Sequence, residues 1–336
     1  VLKRGKPGRL DDANNLFQFD MNYRPALHVL LFLISCHTVV HAQNSIKTKD
    51  AVPINGIKQW IVADGKDNTK PVLLFLHGGP GFPSRPYAKK FVKLLRKDFI
   101  VVQWDQRASG LTQHFSPNSN ALTLDLFHQD TYEVVDYLRK RFSRDKIFLA
   151  GFSWGGFLGL RYAHDHPENL HAYISVSSMI HNYESERRTL ELLKDKAKNN
   201  PVALEEVKQV NIPFTSWEEL YYQRKWTSAI IDGKPYKGEA VRLLFEKWSK
   251  TWFMLFQRAS LVDYKMTAPQ LACPVYFFLS RRDYVANHAV SEAYFKILEA
   301  QEKELIWFYE STHEIPGDEP KKFSAELIKI GRKQKE

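Results

Sequence analysis

In the stretch "KIFLAGFSWGGFLGLRYAHDHP", Gly151-Phe152-Ser153-Trp154-Gly155 matches G-x-S-x-G, with a strand-like apolar run before it and a helical pattern after it. A serine on such a sharp turn is held out at the edge of a sheet. Its backbone is strained there, which is tolerable when the flanking positions carry almost no side chain. The hydroxyl is a weak nucleophile until a neighbouring base takes its proton. In sites of this strand–turn–helix kind the chain order is serine, then an acid, then histidine. The histidines after Ser153 are His164, His166, His171, His181, His288 and His313. His313, in "WFYESTHEIP", follows the last strand-like run, where a loop can bring an imidazole back to the serine. His288 is the alternative base, five residues past Asp283 at the expected start of a helix. Asp283, in "VYFFLSRRDYV", stands just after the penultimate run, where an orienting carboxylate belongs; its other reading is a surface partner of Arg281 and Arg282.

Attack on a carbonyl creates an oxyanion, which needs preorganised N–H donors. One is expected from Trp154, the residue after the nucleophile. The other must come from a loop after an earlier strand. "LHGGPGFP", residues 76–83, follows the apolar run "PVLLFL" with glycines and prolines that suit neither helix nor strand. Gly79 has no side chain to hinder an inward-pointing amide. A plain turn with no donor is the alternative.

These residues need a scaffold that gathers them. Apolar runs predict buried strands at 72–76, 99–104, 147–150, 172–176, 275–279 and 305–309. Phe127, Thr131, Val134, Leu138 and Phe142 recur at helical spacing, as do Phe323, Leu327 and Ile330. The alternation predicts an α/β fold with a mostly parallel central sheet flanked by helices. It stops between 179 and 269, a helical, aromatic-rich segment carrying Trp217, Tyr221, Tyr222, Trp226, Trp248, Trp252, Phe253 and Phe256. That segment is expected as a cap inserted between sheet strands over their C-terminal edge, where open α/β sheets bind ligands. The core is then 52–178 with 270–334, and the cap 179–269.

"HGGPG", "WDQR", "GFSWGG", "RRDY" and "STH" together resemble the proline iminopeptidase (prolyl aminopeptidase) group of α/β hydrolases, over roughly residues 52–334. The resemblance implies an α/β-hydrolase core with a helical cap and a serine hydrolase that removes N-terminal residues, often proline, from peptides. It implies a triad of Ser153, Asp283 and His313, an oxyanion hole of Gly79 and Trp154, and supports at His77, Gly78, Asp105 and Arg107. The last two read as an ion pair of the kind that organises loops. The group holds the substrate's α-ammonium with cap carboxylates, for which "SWEELYY" offers Glu218 and Glu219 beside aromatics. Departures from the group's pattern are Ala108 after Arg107, Ser280 where a glycine is common, and "STHE" in place of "GH" or "AH".

The chain has 336 residues, 44% hydrophobic and 26% charged, which suits a real core and excludes wholesale disorder. Its net charge of +10 includes no Lys/Arg run interleaved with aromatics, so it reads as solvated surface and no nucleic-acid partner is expected. No H-E-x-x-H or paired C-x-x-C occurs, so neither metal nor organic cofactor is implied. Residues 1–42 read as a leader. Arg24, the apolar Val29–Ile34 and Val40-His41-Ala42 form an export-signal pattern starting at Met21, with 1–20 an upstream extension. Leu33-Ile34-Ser35-Cys36 also resembles a lipobox, which would lipidate Cys36 and give the protein its one membrane contact; otherwise Cys36 lies in a hydrophobic leader. The expected place is therefore the periplasm or the exterior, and the cytoplasm if 1–42 is no leader. The expected partner is a small peptide or acyl substrate. An esterase with the same triad is the rival, and a catalytically silent binding protein the third reading.

Overall fold

The computed structural model describes residues 45–115 and 122–334. The leader reading of 1–42, Met21 and Cys36 included, lies outside the described residues. Eight strands form one sheet: β1 (Ile46–Ile54), β2 (Ile57–Gly65), β3 (Val72–Leu76), β4 (Ile100–Asp105), β5 (Ile147–Phe152), β6 (Leu170–Val176), β7 (Val275–Ser280) and β8 (Lys303–Phe308). Their spatial order is β1-β2-β4-β3-β5-β6-β7-β8. The pairs from β4 to β8 are all parallel, whereas β2 runs antiparallel to both β1 and β4. The mostly parallel sheet expected from the apolar runs is therefore observed, and it begins at Ile46, upstream of residue 52.

The β1–β2 hairpin escapes a search for apolar runs because its residues alternate, partly buried with exposed along much of β1 and buried with partly buried along most of β2. Its turn is a two-residue turn of Asn-Gly type, in which Asn55 and Gly56 both take the positive φ it requires, 43° and 80°.

Helices cover both faces. α1 (Arg85–Leu95) joins β3 to β4, α2 (Leu124–Phe142) lies between β4 and β5, and α3 (Trp154–Asp165) follows β5. Alternate residues of β3 divide between the layers. Val72, Leu74 and Leu76 pack with Phe127 and Leu138 of α2 and Leu158 of α3, while Leu73 and Phe75 meet Phe91 of α1 and Phe323 of the C-terminal helix. Between β6 and β7 the chain makes α4 (Asn182–Lys196), α5 (Pro201–Lys208), α6 (Trp217–Trp226) and α7 (Ala240–Ser260). This helical insertion leaves and rejoins the sheet side by side, at an antiparallel bridge between His181 and Asp263. After β7 come α8 (His288–Ile297), β8 and α9 (Pro320–Lys333).

The order matters for the site. From β3 the chain crosses to β4 on one side, then passes back over β3 to β5 on the other. The crevice between the C-terminal ends of β3 and β5 is thus a topological switch point, the place where this architecture leaves room for a ligand.

Candidate active site

Ser153 occupies that switch point. It closes β5, opens α3 and takes φ 54° and ψ −114°, a conformation an L-residue adopts only when its surroundings impose it. The imposition is steric. A Cβ on Gly151 would lie 2.3 Å from the Gly155 carbonyl oxygen, and one on Gly155 would lie 2.2 Å from that of Leu76. The turn therefore packs backbone against backbone. The Ser153 amide donates to the Val176 carbonyl at 3.0 Å, which pins the turn to β6.

The acid and the base meet beside it. Asp283, in the turn after β7, is 1% exposed. Its Oδ1 accepts from the amides of Val285 and Ala286, each at 3.0 Å. The His313 Nδ1 lies 3.1 Å from Oδ1 and 3.0 Å from Oδ2. With Nδ1–H donated to the carboxylate, Nε2 is the nitrogen left to take a proton. Burial opposes both charges, but the Asp283 charge and hydrogen bond raise the His313 pKa above its ordinary value. Burial likewise opposes ionisation of Asp283, yet the imidazole and the Ala286 amide hold its carboxyl below the usual range. The surface-partner reading of Asp283 is corrected: Arg281 turns outward to Glu292 at 2.8 Å and lies over the Trp307 ring. His288 begins α8, where its ring meets those of Tyr284 and Trp307. It is not among the residues that line the cavity at Ser153.

The loop after β3 stands against the serine. A Cβ on Gly78 would be 3.3 Å from the Ser153 Cβ, and Gly79, at φ 123°, could bear none without meeting the Gly81 nitrogen at 2.5 Å. Burial pushes the His77 pKa down to about 4, so the ring is neutral. Its Nε2 accepts from the Gln106 amide at 3.2 Å, which leaves Nδ1–H to donate to the Gly78 carbonyl at 2.9 Å. His77 is a staple of the loop. Trp154 is fully buried, stacked on Phe157, with its indole N–H donating to Gln106 Oε1 at 2.9 Å.

Asp105 and Arg107 do not pair with each other, which corrects the ion pair expected of them. Asp105 takes Arg85 (2.7 Å) and the Leu111 amide, whereas Arg107 makes a two-pronged contact with buried Asp130 at 2.7 and 2.8 Å. The strand ends at Asp105 and the chain turns after it, with Ala108 at φ 57°, so the Arg107 side chain leaves in a different direction and reaches a different partner. Between them Gln106, a residue of the same motif with no role expected from the sequence, is buried behind the site and bonded to the His77 carbonyl and the Trp154 indole.

A cavity of about 420 Å³ opens over Ser153 and His313, bounded by Gly78, Gly79 and Phe82 on the core side. From the insertion, Leu220, Arg224, Asp232, Tyr236, Phe245 and Trp248 close it. The Arg224 charge is met by buried Glu186. Glu218 and Glu219 are not among the lining residues. Glu219 is instead spoken for locally: Ser216 caps α6, and the Glu219 carboxylate turns back to the Thr215 amide (2.6 Å) and to Asn211 (2.7 Å). The insertion carboxylate that does reach the cavity is Asp232, in the turn between α6 and α7. Among the described residues no group of three or more histidine, cysteine or acidic side chains is placed to hold a metal ion.

Comparison with known proteins agrees with this architecture. A family model described as the alpha/beta hydrolase fold matches residues 71–294. A probable aminopeptidase, YbaC, of Bacillus subtilis (strain 168) is 27% identical over 316 residues, which cover 88% of this chain and 99% of that protein. The proline iminopeptidase of Clostridium botulinum is 35% identical over 121 residues, 35% of this chain and 39% of that one. Among solved structures, the proline iminopeptidase of Mycobacterium smegmatis superposes with a TM-score of 0.63 at 16% identity, over 85% of this chain and 98% of that one. At that identity the likeness speaks for the fold.

Proposed function

The chain belongs to the alpha/beta hydrolase fold family, and from that membership we propose that it is a serine hydrolase removing N-terminal residues, proline among them, from short peptides. The observation that carries the proposal is one juxtaposition. A serine on a strained turn and an imidazole anchored to a buried carboxylate open onto a single cavity. In the mechanism His313, oriented by Asp283, takes the Ser153 proton as the oxygen attacks the scissile carbonyl. The amides of Gly79 and Trp154 hold the oxyanion. His313 then protonates the leaving amine, and water releases the acyl group by the reverse relay. The resemblance to proline iminopeptidases asks for an insertion carboxylate at the substrate's ammonium. Asp232 supplies it, in place of Glu218 and Glu219.

Two measurements test the proposal. Ser153→Ala should abolish labelling by a fluorophosphonate probe, and persistent labelling would remove Ser153 from its role. A free prolyl p-nitroanilide should be turned over and its N-acetyl form rejected, since a blocked amine has no charge for Asp232. Equal turnover of the two would favour an esterase, for which the exposed apolar Phe82 and Leu244 at the cavity wall provide an acyl surface. The leader pattern of 1–42 supports export, and N-terminal sequencing of the secreted product would check it.

A further inference from the structure

We infer that Gln106 is a positioning residue that sets the spacing between the two amides of the oxyanion hole, an assignment that rests on the serine-hydrolase function proposed above. Its side chain is buried between the two segments that supply those amides. Nε2 donates to the His77 carbonyl at 3.1 Å, and Oε1 accepts the Trp154 indole N–H at 2.9 Å. The partners fix the orientation of the amide, because a carbonyl needs a donor and an indole an acceptor. The backbone is tied down as well: the Gln106 amide donates to His77 Nε2, and its carbonyl accepts the Ser109 hydroxyl at 2.7 Å.

One rigid primary amide therefore spans from the loop that carries Gly79 to the residue that follows the nucleophile. The His77 end is shared with the imidazole, whose Nε2 takes the Gln106 amide and lies 3.2 Å from the Ser109 hydroxyl, whereas the Trp154 end rests on this side chain. Trp154 offers one polar side-chain atom, and it is used here. Asp105 and Arg107, on either side, direct their charges to Arg85 and Asp130 and leave a neutral group between the loop and the nucleophile turn. Neutrality matters, since a fixed negative charge at this position would oppose an oxyanion forming nearby. Hole donors act over narrow distance limits, so a small shift between loop and turn lowers the rate without loosening substrate.

The test uses p-nitrophenyl acetate, whose hydrolysis requires the triad and the hole but no amine site. Gln106→Met keeps the length and removes both side-chain hydrogen bonds. Counted per serine titrated with fluorophosphonate, its kcat should fall about ten- to a hundredfold with KM within about twofold. A residue that serves the fold alone would instead lower the melting temperature or the titrated fraction and leave kcat per titrated serine unchanged; that result would overturn the assignment. Gln106→Glu keeps an acceptor for Trp154 but, when ionised, has no proton for the His77 carbonyl. Its kcat relative to wild type should rise as pH falls and the carboxyl protonates. A ratio that stays flat across the measurable range would also overturn the assignment, and decides the matter should Gln106→Met fail to fold. A wild type that neither labels nor turns over the ester ends the hydrolase proposal and this assignment with it, and that failure is recognisable because it needs no substitution.

Discussion

At Asp232 burial comes first and the Asp283 charge second, and together they push the carboxyl up to about 6. Above that value Asp232 is a carboxylate and can hold an ammonium; below it the charge is gone. His313 fails in the same direction, because in the proposed mechanism it must be neutral to act as base and its pKa is raised by Asp283. Turnover should therefore fall as pH drops through a value above the ordinary 6.5 of histidine. A free prolyl p-nitroanilide should show, in addition, a KM that climbs as pH falls through about 6, a step absent from the p-nitrophenyl acetate profile. Asp232→Asn should raise that KM about tenfold or more at neutral pH, the worth of a charge-assisted hydrogen bond. Steady-state pH profiles of the two substrates check this. The residues differ in how legible they were. Ser153, Asp283 and His313 could be picked out because motif, chain order and strand ends all pointed to them. Asp232 could not, since Asp232-Gly233 reads as any surface turn. Glu219 misled because Ser216-x-x-Glu219 also reads as a helix start, and its carboxylate turned back to the Thr215 amide and to Asn211 rather than to the cavity.

Among the elements, α7 does more than roof the cavity. Its Trp248 N–H donates to the Pro80 carbonyl at 2.8 Å, and its Trp252 ring fills the space where a Cβ on Gly81 would sit. The insertion thereby grips the same loop that Gln106 holds from the core. Trp248→Phe keeps the aromatic bulk and leaves the Pro80 carbonyl unpartnered, a penalty of about 1–3 kcal/mol. Its kcat on p-nitrophenyl acetate should fall about tenfold as the loop relaxes; unchanged kinetics would show that the loop needs no support from above. The buried strands were readable because parallel strands covered on both faces are near-continuous apolar runs, as β3 is throughout and β4 is apart from Gln103 and Asp105. The path of the insertion was not readable, because its helices are placed by contacts far apart in sequence, such as Trp248 with Pro80.

Over the whole molecule, the sheet depends on a charged tie within its core. The Arg107 guanidinium joins Asp130 of α2 to the Asn55 carbonyl at the tip of the β1–β2 hairpin, and the Asn55 side chain returns to Asp130 at 2.9 Å. Arg107→Met would strand the Asp130 carboxylate in a dry setting. It should cost about 3–5 kcal/mol, measured as a shift in urea unfolding, although the residue lies away from the reacting atoms. The pairing of "WDQR" with Asn55-Gly56 across this distance is a property of the folded sheet and could not be read along the chain.

The bridge between His181 and Asp263 carries an evolutionary corollary. Because a long excursion enters and departs through one doorway, a gene could exchange it for another of different length without rethreading the strands. Specificity would then change wholesale while the proposed proton relay stayed put. What such a graft must bring along is an indole above the proline carbonyl, or the transplanted roof would sit over a slackened floor.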